Sequence, residues 1–135
     1  MDASPKVRVE VATEGPLAAS RMVALIALGL LEGLKHDVLS LEEAERTLFG
    51  PRGAEVTAQA RLAEEVIEVV HSSLFFEDYP DLFPNNHEER LQRRLEELQV
   101  QLVNYLKMTR HAVHIPDLPH WLADHLPNEE RGMSG

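Results

Sequence analysis

The sequence predicts a mainly α-helical protein, a compact bundle of four main helices followed by a short C-terminal helix. Three observations lead to this prediction: an apolar run near the N-terminus, a helix-capping motif after it, and a long heptad-spaced segment before the C-terminus. The 135 residues include 44% hydrophobic and 27% charged residues, which is ordinary for a globular chain large enough to form its own core. We expect one helical domain over residues 1–135, with a strand-like N-terminal arm at 1–15 and a flexible tail at 127–135.

The first helix is predicted from Pro16 to about His36, and its apolar residues cover nearly the whole circumference. Such a helix lies in the middle of a bundle or in a subunit interface. Gly29 and Gly33 share one face, where they would let another backbone approach closely or would merely loosen the helix end. The most apolar run, residues 22–31, is shorter than the roughly 20 residues that a membrane span needs. We therefore expect no membrane insertion.

The next three helices follow from capping and spacing. The "SLEE" segment at 40–43 is a capping box that opens a short helix ending at Gly50, and "GPRG" is expected to be a turn. One continuous helix is predicted from residue 54 or 57 to residue 72, or alternatively to residue 76. The fourth helix should begin after Asn86 and run to about residue 110, because apolar residues follow a 4-3-4-3 spacing there: Leu91, Leu95, Leu98, Leu102 and Tyr105.

The chain ends carry weaker patterns. Valines alternate with charged residues over 7–11, and Val113 and Ile115 alternate with His114, which is typical of half-buried strands. The two ends are therefore candidates for a two-stranded ribbon, the alternative being an irregular arm. A short terminal helix is predicted within residues 117–126.

Aromatic residues concentrate in the connector "FFEDYPDLFPNN" at 75–86. Our main expectation is that they pack into the core and hold the third helix against the fourth. The alternative is an exposed docking surface for a basic or apolar partner. The candidate interaction residues are Phe75, Phe76, Tyr79, Phe83 and, near the C-terminus, Trp121.

Composition argues against several functional classes. The formal net charge of −10 disfavours nucleic-acid binding, because phosphate backbones would be repelled. The absence of cysteine removes disulfides and thiol chemistry and fits a cytoplasmic location. The sequence contains neither a glycine-rich phosphate loop nor a G-x-S-x-G nucleophile motif, so we expect no cofactor and a non-enzymatic protein.

Two side-chain groups carry alternative hypotheses. Glu68 and His71 have the Glu-x-x-His spacing of carboxylate-bridged di-iron bundles, and Glu32 would complete a metal site assembled across a dimer. The C-terminal histidines could bind a metal or make this region pH-responsive: His111, His114, His120 and His125.

The run "LIALGLLEGLKHDVLSLEEAERTLFGP" resembles the opening helix pair of a small all-helical bacterial protein family of unknown function. The resemblance covers about the central two-thirds of the chain and implies a helical fold without an assigned activity. The surplus of apolar surface on the first and fourth helices, without a convergent catalytic constellation, favours a protein–protein interaction or regulatory module that self-associates as a homodimer. The alternative is the metal-binding bundle.

Overall fold

The computed structural model describes residue 13 and residues 15–111, and this part of the chain is helical without strands. The mainly α prediction is confirmed. The proposed ribbon, the terminal helix and Trp121 lie outside the described residues. The elements in chain order are α1 (Gly15–Lys35), α2 (Leu41–Thr47), α3 (Pro51–Gln59), α4 (Glu64–Ser73), a 3-10 turn (Phe76–Asp78), α5 (Tyr79–Leu82) and α6 (His87–Thr109).

The two longest helices, α1 and α6, lie side by side and antiparallel. At one end the Arg21 guanidinium donates to the carbonyl oxygen of Leu106 over 2.8 Å, where it meets the negative end of the α6 dipole. Near the other end the Gln99 amide donates to the Glu32 carboxylate. These contacts fix the register of the pair, so that the start of α1 lies beside the last turns of α6.

The core lies on one side of this pair, under α2, α3 and α4. Its largest fully buried side chains come from α1, α4, α6 and the connecting segments: Phe49, Phe76, Leu31, Leu95, Leu98, Leu102, Val66, Val69 and Val70. On α1 the buried residues are Ser20, Ala24, Ala27 and Leu31, which share one helix face. The prediction that α1 sits in the middle of the bundle is wrong, because its opposite face is exposed.

The predicted capping box is present at α2: the Glu43 backbone N–H donates to Ser40 Oγ over 3.1 Å, and the Ser40 N–H donates to the Glu43 carboxylate. The "GPRG" segment differs from the prediction. Pro51 opens α3 rather than closing a turn, which suits a residue with a preset φ and no N–H to satisfy.

The prediction of one continuous third helix is also wrong, since α3 and α4 are separated by a corner at residues 60–63. Arg61 has a left-handed φ of 55°. Its N–H donates to the carbonyl of Ala58, and the N–H of Leu62 donates to the carbonyl of Thr57. This is the Schellman pattern that ends a helix, and the buried Leu62 side chain anchors it in the core.

Beyond the corner, α1 secures the start of α4. The buried Ser20 hydroxyl accepts a hydrogen bond of 2.8 Å from the Ala63 backbone N–H, a group that has no partner within the helix it precedes. A side chain from the first helix thus fixes the point at which α4 begins.

Candidate interaction surface

The side of α1 that faces away from the core is apolar. Leu25 is 52% exposed and Ile26 is 42% exposed, although each is adjacent in sequence to a fully buried alanine. Met22 and Gly29 share this side, since they are three to four residues from Leu25 and Ile26. A Cβ added to Gly29 would meet nothing within 4 Å, so the helix backbone is open to close approach here.

A matching stripe runs along α6. Val100 is 58% exposed and lies on the side opposite the leucine seam, together with the half-buried Val103. Glu96 and Lys107 continue the stripe at either end, so the four residues follow a 4-3-4 spacing.

The two apolar strips face the same way. Both helices bury their other side in the same core, and the Arg21–Leu106 and Glu32–Gln99 contacts place them at the same level along the pair. We call the combined surface the outer face. It consists of Met22, Leu25, Ile26, Gly29, Val100 and Val103.

The rim of the outer face is charged at one end by Glu32 and Glu96. A hydrogen bond from Gln99, and another with His36, hold the pKa of Glu32 below its ordinary value, so this carboxylate stays ionised at neutral pH. Glu96 lies 3.9 Å from the Lys35 ammonium, with 63% of its side chain exposed. The other end of the face carries the exposed Lys107.

The aromatic connector packs inward in part: Phe76 is buried, whereas Tyr79 and Phe83 are half-buried. The buried Phe76 ring makes edge-to-face contacts with Phe49 at 6.2 Å and with Tyr79 at 6.3 Å between ring centroids. Tyr79 in turn contacts Phe83 at 5.3 Å, and the Arg90 guanidinium lies 4.3 Å from the Phe83 centroid. This aromatic chain joins α2, the 3-10 turn, α5 and the start of α6.

Phe75 is the exposed aromatic residue of the connector. It is 51% exposed, and its ring centroid lies 6.2 Å from that of His71. Leu82 is exposed as well, but two such side chains form a small contact area compared with the outer face. A docking role for the connector stays a prediction.

The three metal candidates are not brought together within the chain. Glu32 binds Gln99 on one side of α6, whereas Glu68 pairs with Gln101 over 3.2 Å. Residues two apart on a helix point in roughly opposite directions, so α6 separates the two carboxylates. The described residues contain no group of three His, Cys, Asp or Glu side chains placed to hold a metal ion.

The surroundings of His71 also disfavour a cation. His71 and Glu68 line a shallow hollow of about 320 Å³ with Arg94, whose permanent positive charge would repel a metal ion. A site assembled across a dimer stays a prediction. Of the C-terminal histidines, only His111 is described, and it is exposed.

By length and composition alone, α1 is long and apolar enough to cross a bilayer, with a mean hydropathy of 1.7 over 18 residues, of which 22% are buried. The most apolar run of the sequence has ten residues, whereas the helix extends well beyond it. By length and composition alone, core helices and signal sequences meet the same criterion.

A family model described as "Protein of unknown function (DUF3969)" matches residues 14–122. The chain belongs to this family. No curated protein and no solved structure shows a significant match to it. The predicted resemblance to a family of unknown function is confirmed.

The DUF3969 match extends further than the sequence resemblance implied. It begins at the start of α1 and continues past α6, so that the region containing His111, His114 and Trp121 belongs to the family's domain. The family description assigns no activity, and no residue role transfers from it. The outer stripe of α6 was missed by sequence reasoning, although its 4-3-4 spacing can be read beside the leucine seam.

Proposed function

We propose that this protein is a non-enzymatic interaction module of the cytoplasm that self-associates as a homodimer through its outer face. The observation that carries the proposal is the apolar surface shared by α1 and α6. Exposed apolar surface of this extent costs free energy in water, and in folded proteins it marks sites of association.

The size of the outer face supports this proposal. A 21-residue helix is about 31 Å long at 1.5 Å per residue, and two neighbouring helix axes lie about 9 Å apart. With each helix about 10 Å across, the outer side of the pair is about 19 Å wide, and its full length, charged ends included, covers on the order of 600 Å² per copy. Two copies would bury about 1,200 Å² in total, which is the lower end of specific protein interfaces. Neither helix alone would reach that area.

Charge favours a protein partner over a lipid bilayer. The net charge of −10 and the carboxylates of Glu32 and Glu96 at the rim would be repelled by anionic headgroups. To enter a bilayer, α1 would also have to leave α6 and give up the hydrogen bonds of Arg21. These features support an aqueous, cytoplasmic location.

The test is sedimentation equilibrium of the wild-type chain and the Leu25→Glu variant. Leu25 is half-buried in the single chain, so burying its exposed half is worth roughly 0.8–1.5 kcal/mol in each copy. Together with the cost of burying two carboxylates, Leu25→Glu should weaken dimerisation at least about a hundredfold. Val56→Glu is the matched control, because Val56 is an equally exposed apolar residue on α3. We expect the control to leave the dimer unchanged. A wild-type chain that remains monomeric at roughly 100 μM would refute the proposal, given the affinity expected of such an area.

A further inference from the structure

We infer that the two copies pair their outer faces antiparallel about a twofold axis, with Glu96 of each copy facing Lys107 of the other. This inference rests on the proposed self-association and specifies its geometry. It assigns a register-determining role to the exposed side chains of Glu96 and Lys107, which do not pack in the core.

The α6 stripe is symmetric about its centre. Read from either end, the stripe is charge, valine, valine, charge, with spacings of 4, 3 and 4 residues: Glu96, Val100, Val103 and Lys107. In a twofold interface, if one residue contacts a second, the second contacts the first in return. An antiparallel arrangement places Val100 opposite Val103 and Glu96 opposite Lys107, and a parallel one places like charges opposite each other.

The positions of Ile26 and Gly29 on α1 support the same twofold axis independently of charge. The Arg21–Leu106 and Glu32–Gln99 contacts place the midpoint between Val100 and Val103 beside residues 27–28 of α1. That point is also midway between Ile26 and Gly29. The same twofold axis therefore lays the exposed Ile26 side chain of one copy over Gly29 of the other.

The space at Gly29 suits this arrangement. Within the chain, a Cβ on Gly29 would have no neighbour within 4 Å, so packing inside the chain does not require glycine at this position. Glycine also weakens the helix relative to alanine. A large side chain opposite a glycine is the knob-and-hole complementarity that lets two helices approach closely. A single twofold axis therefore pairs opposite charges on α6 and places a large side chain against glycine on α1.

The experiment is a charge exchange measured by sedimentation equilibrium at low and high salt. Glu96→Lys alone places two lysine pairs across the axis, and Lys107→Glu alone places two glutamate pairs. Each single variant should dimerise roughly tenfold to a hundredfold more weakly than wild type at low salt. The double variant Glu96→Lys/Lys107→Glu, and an equimolar mixture of the two single variants, should recover wild-type affinity.

Glu97→Lys is the matched control. It reverses a neighbouring charge on α6 and loses one pair within the chain, with Arg94, just as Glu96→Lys loses its pair with Lys35. The control lies off the outer face and should dimerise as wild type does. Gly29→Leu should also block association without unfolding the chain.

Failures of the two proposals are distinguishable. If Leu25→Glu disrupts the dimer but the single charge reversals leave the dimerisation affinity unchanged, the antiparallel register is wrong and the proposed function still holds. A monomeric wild-type chain overturns both. If the chain is monomeric and Leu25→Glu shifts the fluorescence of Trp121, the sole tryptophan, then residues 112–135 of the same chain cover the outer face. Flotation with anionic vesicles would assign that face to lipid and likewise overturn the inference.

Discussion

Replacing Arg61 with glycine should stabilise the protein, because Arg61 occupies a backbone conformation that glycine adopts without strain. Its φ of 55° lies in the left-handed region, where a side chain costs roughly 1–2 kcal/mol. Glycine removes that cost and gives back about 0.5–1 kcal/mol through the greater freedom of the unfolded chain. We expect a net increase of about 0.5–1 kcal/mol in the free energy of unfolding.

The assay is urea unfolding followed by far-UV circular dichroism, with the transition midpoint compared at constant slope. Arg61→Ala is the control, since it removes the same exposed side chain and retains the Cβ. The glycine variant should exceed the alanine variant by about 1 kcal/mol. If alanine stabilises as much as glycine, the gain comes from the lost arginine side chain and the strain argument is wrong.

Two further predictions concern α2 and its neighbours. Gly53→Ala should destabilise the fold by about 2 kcal/mol in the same assay, because the alanine Cβ would lie 1.8 Å from the Leu48 carbonyl oxygen. Unchanged stability would show that the first turn of α3 can shift without cost. Partial loss of hydration at the exposed Glu45 side chain, followed by repulsion from Glu77, raises the pKa of its carboxyl. The carboxyl therefore favours folding when protonated and opposes it once ionised. Glu45→Gln should therefore raise the unfolding temperature at pH 7, with the advantage vanishing below about pH 4, and a pH-independent difference between variant and wild type would contradict this.

The elements that could be predicted are those whose signals are local. The Ser40–Glu43 capping box and the heptad-spaced leucines are each defined by residues in the same or adjacent helical turns, and the structure confirms both. The break between α3 and α4 is different. Its stop residue is Arg61 rather than glycine, and it is held by the burial of Leu62 and by Ser20 from a distant helix, which no local pattern displays.

The outer face shows a second limit of sequence reasoning. Leu25 and Leu31 are the same residue type on one helix, yet the first is half exposed and the second is fully buried. Which side of an all-round apolar helix becomes the core depends on how α6 packs against it. The sequence predicted that α1 would lie in the middle of the bundle or in an interface, and only the fold shows which side of α1 is buried and which is exposed.

The pairing of α1 with α6 also has a consequence for biosynthesis. The ribosome releases α1 before α6, the helix against which α1 packs most extensively, and Arg21 and Leu106 are separated by 85 positions. Until α6 emerges, the side of α1 that packs against α6 stays exposed, and early termination of translation would leave that apolar side uncovered. We expect premature stop products to be clients of chaperones and proteases.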